Sequence, residues 1–139
     1  MYNDHMKALF SAYWEFTKRL EKGMRDYGLN YGNPKIILYL LGNEGCQQSD
    51  IARNCYVKSA TLSIVLSNME GNGLIERKHL EGNKRSYAVF LTSKGRKAFK
   101  AAMNQLDAAM EIAFSDFSEE EIEQLRSYLD RVTDNLKDA

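Results

Sequence analysis

Cysteine is scarce in this chain. Only Cys46 and Cys55 occur, without a C-x-x-C spacing or a paired histidine motif, so neither a disulfide scaffold nor a zinc site is implied. Long apolar runs are missing too. None approaches the roughly 18 consecutive residues of a membrane helix, and no membrane partner is expected. The first residues, Met1-Tyr2-Asn3-Asp4-His5, lack the basic patch and apolar stretch of a secretory signal, which makes a cytoplasmic location the expectation. Catalytic signatures are absent as well. His5 and His79 lie in different elements and outside any H-E-x-x-H pattern, and there is no Gly-rich phosphate loop, G-x-S-x-G elbow or paired-acid motif. The expectation is a protein that is not an enzyme and has no catalytic residues, no metal and no cofactor. No internal repeat or low-complexity segment occurs, and 139 residues suit one domain rather than two.

Net charge is the last absence, 19 basic side chains against 19 acidic, and it conceals an asymmetry. Residues 1–45 carry +1, residues 46–100 carry +6 and residues 101–139 carry −7. Salt confines interactions between exposed charges to about 10 Å, so a basic middle can bind phosphate despite an acidic tail.

What is present is mostly helical periodicity. Met6, Phe10, Tyr13, Leu20, Met24 and Tyr27 recur at helical spacing, with Trp14 and Phe16 widening the stripe, and predict a long amphipathic helix over about 2–27. Asn33-Pro34 reads as an N-cap and first helical position, opening a helix whose apolar run spans 36–41 and which ends at the turn 42–45. A short helix follows over 48–54 with Ile51 and Ala52 inward. Then come a tight turn at 55–57 and a second helix over 58–72 with Leu62, Val65, Leu66 and Met69 on one face. Two strand-like runs, 74–79 and 86–91, flank a polar loop over 80–85 and predict a hairpin with a basic tip. Thr92 caps a long helix bearing Phe99, Met103, Leu106, Met110 and Phe114. Ser118 and Glu121 form a capping box for a last helix, whose Ile122, Leu125, Leu129, Val132 and Leu136 make a coiled-coil-like seam.

A short helix, a tight turn and a second helix with an apolar inner face make a helix-turn-helix, whose second helix can lie in the major groove. Its outer face is small and polar, with Ser59, Ala60, Thr61, Ser63, Ser67 and Asn68, which permits close approach and hydrogen bonds to bases or phosphates. The hairpin adds cations: Arg77 and Lys78 at its base, Lys84 and Arg85 at its tip, suited to phosphates or a narrow minor groove.

Residues 46–98 resemble the MarR/SlyA family of winged helix-turn-helix transcriptional regulators. The match runs through Gln48-Ser49-Asp50-Ile51-Ala52, Lys58-Ser59-Ala60-Thr61-Leu62-Ser63, Met69-Glu70-Gly71-Asn72-Gly73-Leu74-Ile75-Glu76-Arg77, Asn83-Lys84-Arg85 and Leu91-Thr92-Ser93-Lys94-Gly95. The resemblance implies a mainly α fold with a small β-hairpin wing. It implies one MarR-like domain over 1–139, with a winged core over about 33–98 and dimerisation helices over about 2–27 and 99–137. It also implies a homodimer on a pseudo-palindromic operator in double-stranded DNA, acting as a repressor released by a small, aromatic effector. Three positions depart from the family pattern. Asn83 replaces the usual wing Asp, Ile64 replaces a frequent recognition-helix arginine and points to a thymine-methyl contact, and Tyr56 stands where Gly is common.

The candidate DNA-binding residues are Gln48 and Ser49, then Lys58, Ser59, Thr61, Ser63 and Asn68, then Arg77, Asn83, Lys84 and Arg85. Candidate effector-pocket residues are Tyr13, Trp14, Tyr27, Tyr31 and Tyr39. Two alternatives stay open at this point. One is a winged-helix adaptor that binds protein rather than bases, favoured by the single cation, Lys58, on the second motif helix. The other is a regulator that senses redox state through Cys46 or Cys55.

Overall fold

The computed structural model describes residues 3–25, 28–29, 34–137 and 139. In chain order the elements are α1 (Asp4–Arg25), α2 (Pro34–Gly42), α3 (Gln48–Asn54), α4 (Ser59–Gly71), β1 (Ile75–Leu80), β2 (Asn83–Leu91), α5 (Ser93–Ala113) and α6 (Glu119–Lys137). The fold is mainly helical with a two-stranded antiparallel wing, as the periodicities predict. Tyr2, Tyr27, Tyr31 and the expected cap Asn33 lie outside the described residues. The cap of α1 is Asn3, whose Oδ1 accepts the Met6 amide at 2.9 Å.

Two compact units divide after Asp107. In the first, Ile36, Ile37 and Leu40 of α2, Ile51 of α3, and Leu62, Leu66 and Met69 of α4 are buried in one cluster with Ile75, Val89 and Phe99. The apolar run of α2 is thus inside, and α3 and α4 present to it the faces that their spacing marks. Along α1 the stripe divides: Leu20 and Met24 are buried, whereas Met6, Leu9, Tyr13 and Trp14 are exposed.

The junction between α4, the wing and α5 depends on two glycines. Gly73, at φ +72°, turns the chain out of α4, so that the Leu74 amide reaches back to the Met69 carbonyl at 2.9 Å. Gly95, in the first turn of α5, lies against the backbone of Leu74. A Cβ there would stand 1.7 Å from the Leu74 oxygen. Thr92 seals the contact: its hydroxyl donates to the Gly73 carbonyl at 2.6 Å and accepts the Gly95 amide at 2.9 Å, capping α5 as the sequence predicts. Glu44 braces the far side. It accepts two bonds from the Arg96 guanidinium, at 2.8 and 3.1 Å, and one from the Leu91 amide at 3.0 Å.

The wing differs from the sequence expectation. Leu80 pairs with Asn83, so the polar loop shrinks to Glu81-Gly82, and Lys84 and Arg85 lie on β2. The register jumps there, from His79↔Tyr87 to Leu80↔Asn83. Asn83 holds the bulge, with its Oδ1 accepting the Arg85 amide at 3.0 Å and its amide group donating to Ser86 Oγ at 3.1 Å.

The second unit, Ala108–Ala139, contains the end of α5 and all of α6. Its capping box forms as expected, with Ser118 Oγ accepting the Glu121 amide at 3.2 Å and Glu121 accepting the Ser118 amide at 2.9 Å. Phe114 and Phe117 meet edge to face at 5.6 Å across the α5–α6 turn. Ile122 and Leu125 are half-buried, but Leu129, Val132 and Leu136 stand exposed, Leu136 at 71%.

Candidate nucleic-acid interface

Helix α4 is anchored through Leu62, Leu66 and Met69, each at 3% exposure or less. At 3.6 residues per turn, the opposite face then runs through Ala60, Ile64 and Ser67, all exposed. Ile64 is its one large side chain, 64% exposed. Ser59 and Thr61 are also exposed, and Ser63 and Asn68 are half-buried at the flanks.

Between this helix pair and the wing lies an open groove of about 280 Å³. Its walls include Gln48 and Ser49 from α3, Ser59 and Ser63 from α4, and Arg85, Ser86 and Tyr87 from β2. Five of the sequence-named DNA residues therefore share one concavity. Gln48 Nε2 donates to Ser63 Oγ at 2.9 Å, which ties α3 to α4, and Gln48 Oε1 is enclosed with no partner among the described residues. Lys58 is exposed at the N-terminal edge of α4, in extended backbone. Asn83 is occupied with the wing bulge, and the side chain of Lys84 lies outside the described residues.

Arg77 is placed differently from the others. Its guanidinium reaches back to α4, where Nη2 donates to Ser67 Oγ at 3.1 Å and to Glu70 Oε1 at 3.2 Å. Its own backbone amide donates to Glu70 Oε2 at 3.0 Å. The hydrogen bonds from Arg77 hold the Glu70 carboxyl below the usual carboxylate value. Glu70 and Tyr87 are neighbours of these residues that sequence reasoning missed, and Ser67, read as part of the outer face of α4, is bonded to Arg77. The available signal was an acid seven residues before a basic strand residue, across a Gly-rich turn.

The aromatic residues proposed for an effector pocket are scattered. Tyr13 and Trp14 are exposed on α1, at 67% and 66%. Tyr39 packs beside the core with its hydroxyl accepting from Asn54 Nδ2 at 3.2 Å, and Tyr27 and Tyr31 lie outside the described residues. An apolar crevice does occur, lined by Leu20, Met24, Pro34, Ile37, Met103 and Leu106, but its free volume of about 10 Å³ is close to that of one water-sized probe. Neither cysteine has the surroundings of an activated thiol. Burial pushes both thiols up, and the Asp50 charge pushes Cys46 up further. Among the described residues no three His, Cys, Asp or Glu side chains are grouped to hold a metal, and no helix is long and apolar enough to cross a membrane.

The MarR family model matches residues 36–87, which runs from the core of α2 through the helix-turn-helix to Tyr87 of the wing. Over that stretch the chain is similar to the winged-helix part of MarR-family proteins. Among curated proteins, the organic hydroperoxide resistance transcriptional regulator of Bacillus subtilis is 28% identical over 140 residues, covering 96% of this chain and 94% of its own. Among solved structures, the MarR-type fold matches MepR of S. aureus in its DNA complex with a TM-score of 0.88, at 23% identity, over 96% of this chain and 98% of that one. CouR of Rhodococcus jostii RHA1, bound to p-coumaroyl-CoA, superposes with a TM-score of 0.79 at 19% identity, over 94% and 91% of the two chains. The curated relatives carry the names of transcriptional regulators.

Proposed function

We propose that the chain is a sequence-specific DNA-binding transcriptional repressor, cytoplasmic, acting as a homodimer on a pseudo-palindromic operator. The observation that carries this reading is the groove in which Gln48, Ser49, Ser59, Ser63 and Arg85 converge beside an exposed, close-fitting α4. Thr61 and Asn68 extend the base-facing surface, while Lys58, Asn83 and Lys84 supply its flanks. In this reading the whole chain is one MarR-like domain, with a winged core over about 33–98 and dimerisation helices over about 2–27 and 99–137. The dimer is supported by exposed apolar rows on α1 (Met6, Leu9, Tyr13, Trp14) and on α6 (Leu129, Val132, Leu136), which a second copy would cover. The effector would be a small aromatic molecule, a class suggested by the aromatic residues Tyr13, Trp14, Tyr27, Tyr31 and Tyr39 in the sequence that leads into and begins the winged core.

Selection of bound duplexes from a random pool tests this directly, since a dimeric reader enriches an inverted repeat. Binding should weaken steeply with salt in proportion to the phosphates neutralised. Lys84→Ala with Arg85→Ala should cost about 1–3 kcal/mol of affinity and flatten the salt slope. The rival reading, a winged-helix adaptor for protein, draws on the lack of cations along α4. It requires that the pool yield no motif and that the double variant change nothing.

A further inference from the structure

We propose that Glu70 and Arg77 form a positioning latch: Glu70 on the recognition helix anchors Arg77 against α4, and Arg77, through Tyr87, sets the wing wall that carries Arg85. The inference rests on the DNA-binding reading above, and it gives Arg77, which the sequence suggests as a DNA contact, the part of a positioning group.

Both oxygens of the Glu70 carboxylate are committed, one to the Arg77 guanidinium at 3.2 Å and one to the Arg77 amide at 3.0 Å. A charge-assisted pair of bonds to side chain and backbone of one residue fixes β1 against α4 more tightly than a surface ion pair would. The guanidinium is withdrawn accordingly, with only 17% of the Arg77 side chain exposed. Its Nε is fully enclosed and has no hydrogen-bond partner among the described residues. Its Cζ lies 5.5 Å from the centre of the Tyr87 ring, within cation–π range. His79 also meets that ring, its own ring centre 4.3 Å away. Tyr87 is thus held from β1 by two side chains, and it lines the groove together with Ser86 and Arg85. Contact passes from α4 through Arg77 and Tyr87 to the groove wall, and each step is a direct one. Backbone bonds of Val89 with Gly45 and Cys46 tie the base of β2, and the latch acts one step further out, at Tyr87, towards the bulged end of the wing.

The sign of one substitution separates this from a phosphate contact. Glu70→Gln removes a negative charge next to a DNA-binding surface, so electrostatics alone would tighten binding. The latch predicts the opposite. With the full-length protein and a duplex recovered from the pool selection, Glu70→Gln should weaken binding about fivefold to tenfold without flattening the salt slope. Glu70→Asp keeps the charge but shortens the reach, and should lose part of the same affinity. Arg77→Lys keeps a cation but cannot span Ser67, Glu70 and Tyr87, and should behave like Glu70→Gln. Amide hydrogen exchange over residues 75–91, measured without DNA, should speed up in all three. Tighter binding with a steeper slope in Glu70→Gln would show that freed Arg77 engages phosphate and would overturn the proposal. So would unchanged exchange in the wing. If the wild type itself fails to bind duplex DNA, the DNA-binding reading falls, and the exchange rates still decide whether the latch exists.

Discussion

Replacing Gly95 by alanine sets two effects of opposite sign against each other. On an isolated helix the change is favourable, because alanine exceeds glycine by about 1 kcal/mol in helix propensity. In this fold the new Cβ would meet the Leu74 oxygen at 1.7 Å and its carbonyl carbon at 2.7 Å, both below the 3.0 Å under which real Cβ contacts are essentially never found. The obstacle is backbone on both sides, so no side chain can swing away. Helix α5 would have to lift off Leu74. That stretches the Thr92 bonds to Gly73 (2.6 Å) and Gly95 (2.9 Å) and the Lys94 bond to the Asn72 carbonyl (2.8 Å). It also pulls on Phe99, one turn along and fully buried. Overpacking together with broken caps costs about 3–5 kcal/mol, which propensity offsets by about 1, leaving a net loss of about 2–4 kcal/mol. For a chain of this size that lowers the melting temperature by roughly 8–15 °C. Circular dichroism melts of wild type, Gly95→Ala and Lys97→Ala, an exposed site on the same helix, make the comparison. A Gly95→Ala protein as stable as wild type, or more so, would refute the close-approach argument and leave propensity as the dominant effect.

Two further outcomes are expected. Glu44 and Glu70 are held below the ordinary carboxylate value of 4.5 by hydrogen bonds from Arg96 and Arg77 respectively. Because their folded values are depressed, the stability they contribute is present above pH 4.5 and is lost as pH falls through the lower folded values. Unfolding midpoints taken in steps down from neutral pH should drop in that acid range, and less so in a Glu44→Gln, Glu70→Gln double variant. A double variant with the same acid drop would assign the loss to other groups. Separately, Ile64 stands exposed at the centre of the outward face of α4 and should contact a thymine methyl. Deoxyuridine in place of the contacted thymine should weaken wild-type binding about threefold to fivefold, the worth of one buried methyl. Ile64→Ala should bind both duplexes alike, and equal binding of both by the wild type would rule the contact out.

Much of this architecture is local and therefore legible in the chain alone. The stripe of α4, the capping box at Ser118, the Thr92 cap and the apolar run of α2 follow from periods and turn chemistry that involve neighbours three or four residues apart, whereas in the stripe read for α5 Met110 is exposed and Phe114 lies beyond the helix. The resemblance to MarR/SlyA regulators also rests on short motifs in a fixed order. What the chain alone did not reveal depends on contacts between elements. The wing loop read as six residues closes to two because Asn83 bonds into a bulge and pairs with Leu80, and polar residues in a hairpin do not declare their register. Arg77 reads as one more wing cation, yet it is turned inward by Glu70, seven residues earlier on a different element. Gly95 reads as part of a motif. Only the packing of α5 on Leu74 shows that the motif needs a residue without a Cβ. The sequence by itself determined the helices, the wing and the polar face of α4. The tertiary structure decided which of the described basic residues reach solvent and which hold the winged helix together, because that depends on partners distant in sequence.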